Sequence, residues 1–179
     1  MVKYWPFYFS FLFLFHIKLL QSYYSYKVRT YKLFKKKMPT LTQEDYLRAI
    51  YRLQEDSDQP IKSTELTDKL KLTKSTVSQR LKELQNHGWV EHNAYGPITL
   101  TAEGIRIAQN LTYKHRIIET YLVKELGLDP LSVHDEAHKL EHAVSDVVIT
   151  QMAHKLGNPT HCPHGKQLPD FKPNSPEIL

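Results

Sequence analysis

Apolar positions recur at helical spacing from the Thr42 region onward. Leu47, Ile50, Tyr51 and Leu53 form one stripe, which stops at the polar run 54–59 and Pro60. Thr42, with Asp45 three residues on, is the expected N-cap. A second helix is predicted from about Ser63 to Leu70, with Leu66 and Leu70 inward. Thr73 can cap a third, running to about Asn86 with Val77, Leu81 and Leu84 on one side and Gly88 at its end. Trp89-Val90-Glu91 and Ile98-Thr99-Leu100, separated by a polar turn at 92–97, read as a small hairpin. Thr101 opens a long predicted helix to about Leu126. Its inner side carries Ile105, Ala108, Leu111, Ile118 and Leu122, and Gly127 marks its end. After Asp129-Pro130 and a short segment at 131–133, a last helix is predicted over about 135–156. One of its faces carries Ala143, Val144, Val147, Val148 and Met152, as intradomain core or as a subunit contact.

Two short helices joined by a tight turn, the second polar on one face, make a helix-turn-helix. The outer face of the third helix offers Lys74, Ser75, Thr76, Ser78, Gln79, Arg80 and Lys82. Short hydroxyls and an amide near a helix N-terminus suit base edges and phosphates. The hairpin that follows is the wing. The expected fold is mostly α with a small β wing: a winged helix-turn-helix followed by a helical domain.

Histidines concentrate in that second half. His138, Glu141 and His142 stand at i, i+3 and i+4, so their heads share one helix face. His115 and Glu119 form another i, i+4 pair on the preceding long helix, and His134 and His154 lie close by in sequence. Two imidazoles and a carboxylate on one turn form a chelating edge for Mn²⁺, Fe²⁺ or Zn²⁺. The alternative is a solvated helix whose histidines serve no site. The chain has no His-Glu-x-x-His, no serine, histidine and aspartate arrangement and no phosphate loop, so no enzyme is expected.

Charge and composition refine this picture in two places. The 179 residues carry a formal +5, but eight of the 24 Lys and Arg fall in residues 1–37, which have no Asp or Glu. The remainder sets 16 basic against 19 acidic residues, a formal −3, so DNA binding must rest on a local basic surface. Residues 1–37 also hold six of the seven Phe and six of the eleven Tyr. This leader reads as a membrane anchor, as a targeting segment, or as no functional element if translation starts at Met38; the last is the expectation, with a cytoplasmic protein. One cysteine, Cys162, excludes an intramolecular disulfide.

On these residues the chain resembles the diphtheria-toxin-repressor family of metal-dependent regulators. The resemblance is carried by TQEDYLRAIYRL at 42–53, LTKSTVSQRLKEL at 72–84, LTAEG at 100–104 and KHRIIETYL at 114–122. VHDEAHKLEHAVS at 133–145 and GNPTHCPHGKQLP at 157–169 complete it. It implies a metal-activated, DNA-binding transcriptional repressor of manganese or iron uptake genes, a homodimer on a palindromic double-stranded operator. The implied primary metal site is Asp45, His138, Glu141 and His142, and the implied ancillary site is His115, Glu119 and His134. Ser75 and Gln79 match base-contacting positions on the recognition helix, beside Thr76; Thr73, Ser78 and Arg80 match phosphate contacts or helix ends.

His138 stands where iron-responsive members carry Cys, which favours Mn²⁺ and leaves Fe²⁺ and Zn²⁺ open. Arg48 stands where some manganese-selective members have a second carboxylate, which argues against a binuclear centre. Cys162 and His164 are expected to belong to an ordinary loop. The expected organisation is a leader over 1–37, a DNA-binding domain over 38–100, a metal-binding and dimerisation domain over 101–165, and a Pro-rich tail over 166–179 without an SH3-like third domain. A metal-independent winged-helix regulator is the alternative.

Overall fold

The structure is a computed structural model in which residues 38–57, 60–93 and 96–171 are described. The expectations for the leader and for the end of the tail lie outside the described residues. Helix α1 spans Leu41–Asp56, α2 Ser63–Leu70 and α3 Lys74–Asn86. Strands β1 (Val90–His92) and β2 (Ile98–Leu100) pair antiparallel, with Val90 opposite Leu100 and His92 opposite Ile98. Helix α4 covers Ala102–Leu126, α5 Val133–Glu141 and α6 Asp146–Lys155. No helix among the described residues is long and apolar enough to cross a membrane.

Local chemistry explains most of these boundaries. Thr73 and Thr101 each accept a hydrogen bond from a backbone N–H three residues on, at Thr76 and Gly104, and so cap α3 and α4. Gly127 ends α4 at φ +69°, a left-handed conformation that a side chain resists. Gly104 has a different duty: a Cβ there would stand 2.0 Å from the Trp89 carbonyl oxygen. That same carbonyl accepts from Thr101 N–H, so the first turn of α4 lies directly against the root of the wing. Ile61 adds a bridge to Ile98 and holds the wing from its other side.

Three expectations need correction. The first helix is capped by Thr40, not Thr42. Thr40 Oγ1 accepts from Gln43 N–H while Gln43 Oε1 accepts from Thr40 N–H, a reciprocal pair that Thr42 and Asp45 do not form. The last predicted helix is two helices. Apolar spacing continues through Ala143 and Val144, but Ser145 takes an extended backbone and caps α6 through Val148 N–H. Lys114 holds the break by donating to the Val144 carbonyl and pairing with Asp146 at 2.6 Å. Finally, Ile105 points outward, and Ile107, two positions on, takes the buried position on α4.

Two hydrophobic clusters organise the chain. The first joins Tyr46, Leu47 and Ile50 of α1 to Leu66, Val77, Leu81, Leu84 and the wing residue Ile98, and it also takes in Ile107 and Ala108 of α4. The second joins Ile117, Ile118 and Leu122, further along α4, to Val133, Ala137, Ile149 and Ala153. Leu168 and Phe171 pack on this second cluster, so the chain stays attached to the body well past residue 165. Each large aliphatic side chain buried this way contributes about 1.5–3 kcal/mol. Because α4 runs through both clusters, it fixes α1 beside α5, and the titratable residues meet there.

Candidate metal centre and DNA-reading helix

Three helices deliver the titratable groups. Helix α1 brings Glu44, Asp45 and Arg48; α4 brings His115 and Glu119; α5 and its C-cap bring His134, His138, Glu141 and His142. One ligand atom from each of Asp45, His138, Glu141 and His142 lies within 4.8 Å of the others. His142 Nε2 is 3.1 Å from Asp45 Oδ1 and 3.4 Å from Glu141 Oε1, and His138 Nδ1 is 2.7 Å from the same Glu141 oxygen. Two nitrogens and two carboxylate oxygens form a donor set suited to a divalent transition metal.

A second cluster lies on the other side of His115. His115 Nε2, His134 Nδ1 and Glu119 Oε1 are mutually 2.9–3.0 Å apart. Ligands held at about 2.1 Å around an octahedral ion would be separated by about 3.0 Å, so this triangle matches one face of such a site. His115 also joins the two clusters, since its Nδ1 is 2.6 Å from Glu141 Oε2.

Cys162 and His164 converge on this region too. With Glu119 they place one ligand atom each within 4.8 Å of one another. His164 Nε2 donates to the Pro130 carbonyl at 2.9 Å, which turns Nδ1 toward Glu119 Oε2 at 3.4 Å. The surrounding segment is tied down as well. Arg116 pairs with Glu55 and donates to the Gln167 carbonyl, and Lys166 reaches Asp56 at 2.6 Å.

Electrostatics follow from this crowding. Burial pushes the Glu119 carboxyl up, but hydrogen bonds from His115 and His134 outweigh it and hold the group down at about 2. Burial also raises Glu141, and His115 and Arg48 bring it back below the usual carboxylate range. Asp45, then Glu44, lift His142 to about 9 against its burial. Burial holds His134 below the ordinary histidine range. Glu44 lies outside the four-residue donor set but against it. Its Oε2 stands 2.7 Å from His142 Nδ1, the second contact that orients a ligating imidazole and fixes which nitrogen faces an ion. The only sequence signal for it was adjacency to Asp45. Arg48, at the position where a second carboxylate would stand, has its side chain 10% exposed among these groups.

On α3, Thr73, Ser75, Thr76, Ser78 and Gln79 are all exposed, while Val77, Leu81 and Leu84 turn into the first cluster. Thr73 is occupied as the cap, with its Oγ1 also 3.0 Å from Ser75 Oγ and 2.8 Å from Thr76 Oγ1. Arg80 is half-buried and paired with Glu83 one turn on. The exposed face of α3 therefore carries the short hydroxyls and the Gln79 amide, between Lys74 and Lys82.

Comparison with known proteins matches both halves of the chain. Residues 38–98 match the family model described as iron dependent repressor, N-terminal DNA binding domain. Residues 101–170 match that of the iron dependent repressor metal binding and dimerisation domain. An uncharacterised HTH-type transcriptional regulator of Methanocaldococcus jannaschii is 41% identical over 109 residues, 61% of this chain and 87% of that protein. The diphtheria toxin repressor of Corynebacterium efficiens is 34% identical over 128 residues, 72% of this chain but 55% of its own length. A manganese-dependent transcriptional repressor solved in complex with manganese superposes with a TM-score of 0.68 at 38% identity. That match covers 75% of this chain and 62% of that one.

Proposed function

The chain belongs to the iron-dependent repressor family, the family of the diphtheria toxin repressor, and from that premise we propose that it is a metal-activated transcriptional repressor. The observation that carries this reading is the origin of the first donor set. Asp45 comes from α1, at the base of the DNA-reading unit, and His138, Glu141 and His142 come from α5 and its cap. Those four residues would hold a divalent cation, which supplies one charge centre attracting both elements at once. The chain's own residues do the rest. Glu44 orients His142, Glu141 is held ionised in a buried position, and α1 packs α2 and α3 through the first cluster. Fixing α1 against α5 therefore fixes the attitude of α3, and the ordering cost of DNA binding is met before DNA arrives. The second cluster, His115, Glu119 and His134, is the ancillary site in this reading.

On the recognition helix, Ser75 and Gln79 are the base-reading residues, with Thr76 beside them and Thr73, Ser78 and Arg80 as phosphate contacts or helix ends. The protein acts in the cytoplasm as a homodimer on a palindromic operator, with residues 38–100 reading DNA and 101–165 binding metal and pairing subunits. Exposed Val147 and Val148 on α6 suit that contact. Mn²⁺ is the proposed physiological ion and metal-uptake genes the proposed target. The absence of Cys at position 138 and the likeness to a manganese-dependent repressor support this choice.

The test is a titration of Mn²⁺, Fe²⁺ and Zn²⁺, separately, into chelator-stripped protein while following binding to operator-containing DNA at fixed salt. Selective activation by one ion, lost in His142→Ala, is the expected result. DNA binding indifferent to chelation would overturn the reading in favour of a metal-independent regulator.

A further inference from the structure

Arg48 lies between the two clusters, and its guanidinium stands close to groups of both. Nη1 donates to Glu141 Oε2 and lies 3.0 Å from His115 Nδ1. Nη2 lies 3.0 Å from His138 Nδ1 and 3.8 Å from Asp45 Oδ1. One side chain thus touches three of the four donors of the first cluster and one of the three donors of the second. Glu141, fully buried, needs this partner in the ion-free protein, because an uncompensated carboxylate at 0% exposure carries a large desolvation cost.

The same contacts conflict with an ion. The bond to Glu141 Oε2 ties up the carboxylate whose other oxygen faces His138 and His142, and so competes with a cation for that group. A fixed positive charge within hydrogen-bond distance of the donors also opposes a second positive charge among them. A guanidinium does not lose its proton at any working pH, so it can yield only by moving. The guanidinium fork meets a carboxylate with a geometry that a lysine ammonium does not match.

We propose that Arg48 is a resident cation of the metal centre, holding Glu141 in the ion-free protein and giving it up when a divalent ion binds. This inference rests on the metal-centre reading above. Ion uptake becomes an exchange of an internal cation for an external one. Arg48 then sets the affinity threshold of the switch.

The test compares wild type, Arg48→Gln and Arg48→Lys in the full chain. Affinity for Mn²⁺ and Zn²⁺ is measured by competition with a fluorescent chelator, and thermal stability is measured in excess EDTA. Arg48→Gln should bind the ion at least about tenfold more tightly. It should also melt lower than wild type without metal and gain more from metal. Arg48→Lys should fall between the two. If Arg48→Gln fails to fold, the arginine side-chain N–H signals of wild type, assigned by their loss in Arg48→Lys, answer the question directly: Zn²⁺ should shift or broaden that of Arg48. Equal or weaker ion affinity in Arg48→Gln, or an Arg48 signal indifferent to Zn²⁺, overturns the exchange while leaving the metal centre intact. A wild-type chain that takes up no ion overturns both.

Discussion

Ion uptake at the first cluster should cost a proton from His142, and the structure sets the pH range over which this is visible. Asp45 and Glu44 flank the two ring nitrogens and lift the imidazole to about 9, well above its ordinary value of about 6.5. At neutral pH the ion-free ring is therefore protonated on both nitrogens, and the nitrogen facing Asp45 has no lone pair to offer. Each unit of pH below about 9 makes removal of that proton tenfold harder, so apparent affinity should climb about 100-fold between pH 6.5 and 8.5 and level off above 9. The fold itself responds with the opposite sign. A raised histidine stabilises the ion-free protein fully below about 6.5, and that contribution disappears as pH rises through about 9. The assay is calorimetric titration of Mn²⁺ at matched ionic strength, repeated in two buffers of different ionisation enthalpy to count the protons released. Glu44→Gln should flatten the dependence by removing one of the two carboxylates that hold the proton. An affinity constant from pH 6.5 to 8.5, with no proton release at pH 7, would rule out a protonated His142 in the ion-free centre.

Three further outcomes are expected. Gly104→Ala places a methyl against the Trp89 carbonyl and should destabilise the chain by about 1–3 kcal/mol in chemical denaturation, with the wing displaced. Gln79→Ala should lose about 1–3 kcal/mol of discrimination at one base pair of the operator, with the salt dependence of binding unchanged. Val147→Asp with Val148→Asp should give a monomer by sedimentation that still binds metal, since both side chains are exposed and neither lies in the donor set.

The elements that the sequence announces well are those with chemical punctuation at both ends. Helix α3 lies between a Thr73 cap and Gly88, and α4 between Thr101 and Gly127; for both, the expected and observed spans agree. The break between α5 and α6 was hidden because apolar spacing runs through it, and the capping Ser145 is legible only once Lys114 is known to sit against it. The expected Thr42 cap gives way to Thr40 because Thr40 and Gln43 reach each other reciprocally, a matter of side-chain reach that spacing does not show. At the site, the pairs on one helix could be read from spacing. The roles of Glu44 and Arg48 could not, because each depends on a helix about 90 residues further along the chain. Cys162 and His164 are a similar case, since only the return of the chain past α4 brings them to Glu119.

Helix α4 crosses both hydrophobic clusters without interruption, and this makes its length a ruler. Ile107 and Ala108 set its phase in the first cluster, and Ile117, Ile118 and Leu122 set it in the second. Inserting one residue between 108 and 117 would turn everything beyond by about 100° and advance it about 1.5 Å. The second cluster, with Glu119 and α5, would turn as one away from α1 and carry His138 and His142 out of reach of Asp45. Natural variants of this chain should therefore gain and lose residues freely in the wing turn and after α6, but keep the count between Thr101 and Gly127 constant.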